Sequence, residues 1–219
     1  VKIHMLDGIL SSKNAEFVDK KLPGFLAMIT AINKGCDSLN QEVSYKSAHS
    51  LGKLCISNAT AKDKLFKIIE TAKDHNKIVE SCDVIIRKMN CRDRRLIDIL
   101  LNELHWCPST QGRAKVAKLL LFLGPDDVLL PGEEERIFNI LETRLWDDPN
   151  KSVRVEIARA ILALKLFDKA CERAQKKLGN RDEKIRAQGV LSIGALALQN
   201  NNIIRILLEM LELDPSEFF

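Results

Sequence analysis

Two stretches of this chain lie over one another. Val153 to Leu164 (VRVEIARAILAL) aligns with Ile185 to Leu196 (IRAQGVLSIGAL) at a shift of 32 residues, with the apolar positions coincident. At a shift of 41 towards the start, Arg113, Val116, Ala117, Leu120 and Leu123 fall on Arg154, Ile157, Ala158, Ile161 and Leu164. Further upstream, Val43, Ala48, Leu51 and Leu54 fall on Val153, Ala158, Ile161 and Leu164, and Ile78, Cys82, Ile86 and Met89 fill the gap, giving five copies. A repeat of this length restricts the fold severely. Each copy is one supersecondary unit that cannot bury its apolar face alone, so the copies must stack.

A second helical pattern lies between the copies. Leu96, Ile99, Leu100 and Leu104 have the spacing of one buried helix face, and Ile137, Ile140, Leu141 and Leu145 repeat it at the same shift of 41. Because both patterns move by one offset, the unit is a helix hairpin of an outer and an inner helix. Leu65, Phe66 and Ile69 start another outer helix, as do Phe167, Ala170, Cys171, Ala174 and Leu178. The repeats are placed at 15–56, 59–90, 92–124, 132–166 and 167–199, with a partial sixth at 200–219, all within one helical-repeat domain spanning 1–219.

Punctuation agrees with this division. Gly124-Pro125 stops an inner helix, Glu133 to Glu135 place carboxylates at the start of the next outer one, and Asp182 can cap the inner helix after Gly179-Asn180. Pro125 to Pro131 is an insertion whose Val128, Leu129 and Leu130 are expected to tuck onto the adjacent repeat. Gly189 and Gly194, inside an inner helix, are expected where helices pack closely.

With 46% hydrophobic and only 5% aromatic residues, no Asn-Gly hairpin and no sustained alternation, the 219 residues read as all-α, folded and soluble. Val1 to Leu10 lack the pattern of a secretory signal, and the longest uncharged stretch, 189–204, is broken by Gln199 to Asn202, so no membrane partner is expected. Six scattered cysteines (Cys36, Cys55, Cys82, Cys91, Cys107, Cys171) without a C-x-x-C pair suit reduced thiols and a cytoplasmic or nuclear location. The glycosylation triplets at Asn58 and Asn150 are discounted accordingly.

Asp148-Pro149-Asn150-Lys151-Ser152-Val153-Arg154, followed by Ala158, Ala160, Leu162 and Leu164, resembles the second helix of a HEAT repeat, and 182–196 is similar to it. The resemblance implies a right-handed α-α superhelix, a HEAT/armadillo-like solenoid of about five helix pairs. It also implies that the Asp caps the inner helix and meets the Arg of a neighbouring repeat, a position held here by Arg113, Arg154 and Arg186. Ser44 and Val79 stand there in the first two copies, so residues before 90 read as either HEAT-like or armadillo-like. The family implies an interaction scaffold rather than a reaction.

Motifs for chemistry are sparse. His105-Trp106-Cys107 places two metal-ligand types together without a second ligand pair, and reads as an outer-helix end packing its Trp. No phosphate loop or G-x-S-x-G is present, and the acid pairs read as solvated helix starts. No catalytic residue, cofactor or metal is assigned.

Charge placement says more. Residues 126–148 hold eight acids and two bases, while 151–188 hold eleven bases and five acids. Either neighbouring repeats attract one another or the surface is bipolar for a charged partner. Inner-helix positions facing away from the core give a basic candidate protein-binding face: Lys46, His49, Lys53, Lys88, Lys115, Lys118 and Arg159. Ser81, Val84, Phe122 and Leu191 occupy equivalent places. Lys165, Lys169, Arg173 and Lys176 form a basic stripe on the fifth outer helix, suited to an acidic surface or simply solvated. The expected function is a non-enzymatic protein-protein scaffold; the alternative is nucleic-acid binding through a basic concave face. Asp214-Pro215-Ser216-Glu217 echoes Asp148-Pro149-Asn150-Lys151 after a helix apolar almost all round. The chain is therefore expected to be a piece of a longer solenoid, prone to self-association through residues 203–219.

Overall fold

In the computed structural model, which describes residues 24–54, 59–129 and 131–213, helix follows helix and no strand occurs among the described residues. The expected all-α repeat architecture is borne out. The start of the first repeat before residue 24, Cys55, the Asn58 triplet, Leu130 and the 214–219 echo lie outside the described residues.

The chain divides into two compact units, 1–96 and 97–219. The first contains α1 (Phe25–Cys36), α2 (Gln41–Lys53), α3 (Ala59–Thr71) and α4 (His75–Asp83), the last continuing as a π-helical turn over Val84–Lys88. Helix α2 packs against α1, α3 and the π turn. At Gly52 a Cβ would meet Val84 Cγ1 at 2.1 Å, so α2 approaches the π turn at a distance only glycine allows. Val84, Ile85 and Ile86 are consecutive and all buried, as are Ser47 to Gly52 in α2, so these helices are covered on more than one side. The expectation that Ser81 and Val84 face outwards fails: both are packed inside, Ser81 already within α4.

Helix α5 (Arg95–Trp106) begins at the division. The second unit continues with α6 (Thr110–Leu123), a single turn α7 (Pro125–Val128), α8 (Glu134–Asp147), α9 (Lys151–Ala163), α10 (Phe167–Leu178), α11 (Glu183–Leu196) and α12 (Asn201–Leu213). Inner helices stack side by side, α6 on α9 and α9 on α11, while α8 packs on α9 and α11 and α10 packs on α11. The apolar repeat positions form this core: Val116, Leu120, Val153, Ile157, Ile161 and Ile193 are buried, as are Leu100, Leu104, Leu141 and Leu145 from the outer layer. Pro125 starts α7 instead of merely ending α6, and Val128 is buried as expected of the insertion.

One local rule recurs in both units. Each inner helix opens on a polar side chain that accepts backbone N–H groups otherwise left without an intrahelical partner. Asn40 accepts from Glu42 and Val43, Asp74 from Asn76, Ser109 from Gly112, Asn150 from Ser152 and Asp182 from Lys184, at 2.8–3.2 Å. Asp182 thus caps α11 as expected. Asp148 does not cap α9: it stands two residues too early, and its Oδ1 accepts instead from the N–H of the true cap, Asn150, at 3.0 Å.

The glycines of α11 differ. A Cβ on Gly189 would lie 3.0 Å from the Ala174 carbonyl oxygen and from Lys177 Cβ, whereas one on Gly194 would meet nothing within 4 Å. Only Gly189 serves close packing with α10; Gly194 is exposed.

Candidate protein-interaction surface

The acidic and basic blocks meet across neighbouring repeats. From α10, Lys169 Nζ lies 3.0 Å from Glu134 and 2.7 Å from Glu135 on α8, Arg173 pairs with Glu135 and Glu142, and Lys177 reaches Glu142 at 3.0 Å. The Lys169 and Arg173 cations also lie over the Phe138 ring, at 5.1 and 4.8 Å from its centroid. Hydrogen bonds from Lys169, then Arg173, hold the Glu135 carboxyl below its ordinary range, and Glu135 in turn raises Lys169. The basic stripe is therefore divided: Lys169 and Arg173 turn onto α8, while Lys165, at a positive φ of 60° between α9 and α10, and Lys176 are exposed.

A buried pair ties α6 to Asp148, at the end of α8. Arg113 donates from Nε to Asp148 Oδ2 at 2.6 Å and from Nη2 to Oδ1 at 3.2 Å, and Nη1 reaches the carbonyls of Cys107 and Pro108. The Asp148 bond raises the Arg113 guanidinium further above its ordinary value. This is the inter-repeat bond the family resemblance implies, and the carbonyl contacts of its Nη1 recur at the other two arginines. Arg154 donates to the Asp148 carbonyl at 2.6 Å, and Arg186 to the carbonyls of Asn180 and Arg181.

The candidate binding residues are distributed over both units. In the first, Lys46 pairs with Glu42 at 3.1 Å, Lys53 and Lys88 are half-buried, and His49 is buried with its ring 5.3 Å from that of Tyr45. His49 belongs to a buried run of α2 that includes Ser47, Ala48, Ser50 and Leu51, so the buried side of this helix is wider than one face. In the second, Lys115 is half-buried, and Lys118 and Arg159 are both exposed around one carboxylate, Glu156, at 3.7 and 2.9 Å.

Sequence reasoning underrated the apolar part of this face. Leu121 and Phe122 on α6, Leu162 on α9 and Leu191 on α11 are exposed, Leu162 by 59%. Leu121, Phe122 and Leu162 lie in the last turns of α6 and α9, one turn on from Lys118 and Arg159, and Leu191 stands on α11 at the repeat position of those two cations. The 41- and 32-residue offsets alone could have found them, since Leu121 and Leu162 share one repeat position and Arg159 and Leu191 another. Elsewhere, Trp106 does not pack its ring inside: it is 64% exposed, edge-on to His105, whose Nδ1 meets Arg144. Helix α12 buries Ile203 and Met210 and exposes Ile204, Leu208 and Leu211.

Reactive chemistry finds little support in these groups. Burial and the Asp37 charge push the Cys36 thiol up to about 11, away from nucleophilic character. No group of three His, Cys, Asp or Glu side chains among the described residues could hold a metal ion, and no helix among them is long and apolar enough to cross a membrane.

No protein-family model matches the chain. It is 24% identical over 129 residues to protein HEATR9 of Homo sapiens, and to the same extent to protein HEATR9 of Macaca fascicularis. The match takes in 59% of this chain and spans 23% of the length of those relatives. Helix pairs and relatives agree on a HEAT-like helical repeat.

Proposed function

We propose that this chain is a non-enzymatic protein-interaction scaffold, working in the cytoplasm or nucleus through its inner helices. The observation that carries the reading is the exposed cluster Leu121, Phe122, Leu162 and Leu191. Single exposed apolar residues are ordinary on a protein surface, but four in the C-terminal halves of three stacked inner helices, with Leu121 and Leu162 at one repeat position, form a cluster of the kind that marks interaction sites. Likeness to HEAT-repeat relatives supports a scaffold, and scattered buried thiols support a reducing compartment.

The test is a photo-crosslinking residue placed in cells at Leu162, with Gln175 on the exposed side of α10 as the control. Protein adducts from position 162 and not from 175 are expected; equal or absent adducts overturn the reading. Nucleic-acid binding is the second reading, favoured by the basic inner helices. It requires a mobility shift with duplex DNA or RNA that weakens steeply between about 50 and 200 mM salt.

A further inference from the structure

Charge in the second unit is sorted by layer. The outer helices α8 and α10 carry six acids and six bases, and much of that charge is matched across the two helices. The inner helices α6, α9 and α11 carry eight bases and two acids. Of those bases Arg113 is spent on Asp148, yet the exposed turn beside the apolar row still sets Lys118 and Arg159 around the single carboxylate of Glu156. Both cation side chains are 61% exposed, and an arginine or lysine has several donors beyond the one given to Glu156.

We propose that this inner face binds an acidic amphipathic helix of another protein, its leucine-type side chains on Leu121, Leu162 and Leu191 and its carboxylates against Lys118 and Arg159. The assignment rests on the scaffold reading and names the partner of the same surface. On α6 and α9 the apolar pair Leu121 and Leu162 lies one turn on from the cationic pair Lys118 and Arg159, and Leu191 adds an apolar group on α11, so a ligand complementary to both has an apolar edge and an acidic edge. Helices pack about 8–10 Å apart, so three axes span about 20 Å, which a bound helix covers with about 14 residues. A phosphate backbone would satisfy the cations and leave the leucines against water, which disfavours nucleic acid. Helix α12 of a second copy shares part of the chemistry through Leu208, Leu211, Glu209 and Glu212, but Arg205 already holds Glu209 at 3.1 Å. Such a head-to-tail contact would also build a ring or an open chain rather than a two-fold dimer.

The experiment is fluorescence anisotropy with the full chain in roughly 0.15 M salt. Its probe is a labelled synthetic peptide of about 16 residues, with leucines at helical i, i+3, i+4 spacing and glutamates elsewhere; a lysine counterpart and a duplex DNA are compared. Saturable binding of the acidic peptide is expected. It should weaken by about tenfold or more in Leu162→Glu and in the pair Lys118→Glu, Arg159→Glu, and be unchanged in Lys176→Glu. All these positions are exposed, and melting curves check that each variant is folded. Equal binding of the acidic and lysine peptides, binding insensitive to the variants, or tighter binding of duplex DNA overturns the proposal. So does sedimentation showing a dimer that the same variants abolish, which gives the face to a second copy. Adducts from position 162 without acidic-peptide binding sink the partner assignment alone; absence of adducts sinks the scaffold reading.

Discussion

Asp148 is almost wholly buried, a state a charged carboxylate keeps only where other groups replace water. The fork of Arg113 takes both its oxygens, and the Asn150 N–H takes a further lone pair of Oδ1. Removing one partner leaves the other charge stranded, and that loss exceeds the net worth of the pair. Asp148→Ala is therefore expected to cost about 3–5 kcal/mol. The double variant Arg113→Met, Asp148→Ala should recover part of that loss, because no unpaired guanidinium remains inside. Denaturant melts of the three proteins measure this; a double variant less stable than Asp148→Ala would mean that Arg113 acts through Cys107 and Pro108 instead.

At the scale of elements, α11 shows how one residue type serves two ends. Gly189 lets α11 lie against the Ala174 carbonyl and Leu178, so Gly189→Ala must push rigid backbone apart and is expected to destabilise by about 1–3 kcal/mol. Gly194 faces open space in the same helix, where alanine lowers the entropy cost of helix formation; Gly194→Ala is expected to stabilise by about 0.5–1 kcal/mol. Thermal melts with opposite signs are the check, and two losses would place Gly194 in a contact. The sequence alone gave both glycines one role, since helical phase shows which residues share a face and not what stands opposite. The helix pairs themselves were legible because two independent apolar patterns moved by one offset. The caps Asn40, Asp74, Ser109, Asn150 and Asp182 were equally open to reading, at spacings of 34, 35, 41 and 32, and would have moved the α9 cap off Asp148.

Across the second unit, what sequence left open was how opposite charges distribute between layers. The periodicity drew Lys169 and Arg173 as one face of α10, but the acids of α8 that meet them lie 31 to 38 residues away, a relation fixed only by stacking. His49 and Trp106 escaped for the same reason, their exposure being decided by neighbours on other helices. The stacked charges have a pH signature. The Glu135 carboxyl is held below its ordinary value of 4.5, so its contribution is complete above that pH and is lost as pH falls through the lowered folded value. Lys169 is raised above 10.5, so its contribution is complete below that pH and is lost as pH rises through the raised value. Glu134, Glu135 and Glu142 all face this cluster; Glu134 and Glu135 are exposed while Lys169 and Arg173 are half-buried and Glu142 is buried, so salt screens its outer part. The variant Lys169→Gln, Arg173→Gln should therefore melt below the parent near pH 7, with the gap closing as pH falls well below 4.5 and shrinking in about 1 M salt. A gap of the same size at low and neutral pH would show that these side chains stabilise through packing on Phe138 rather than through charge.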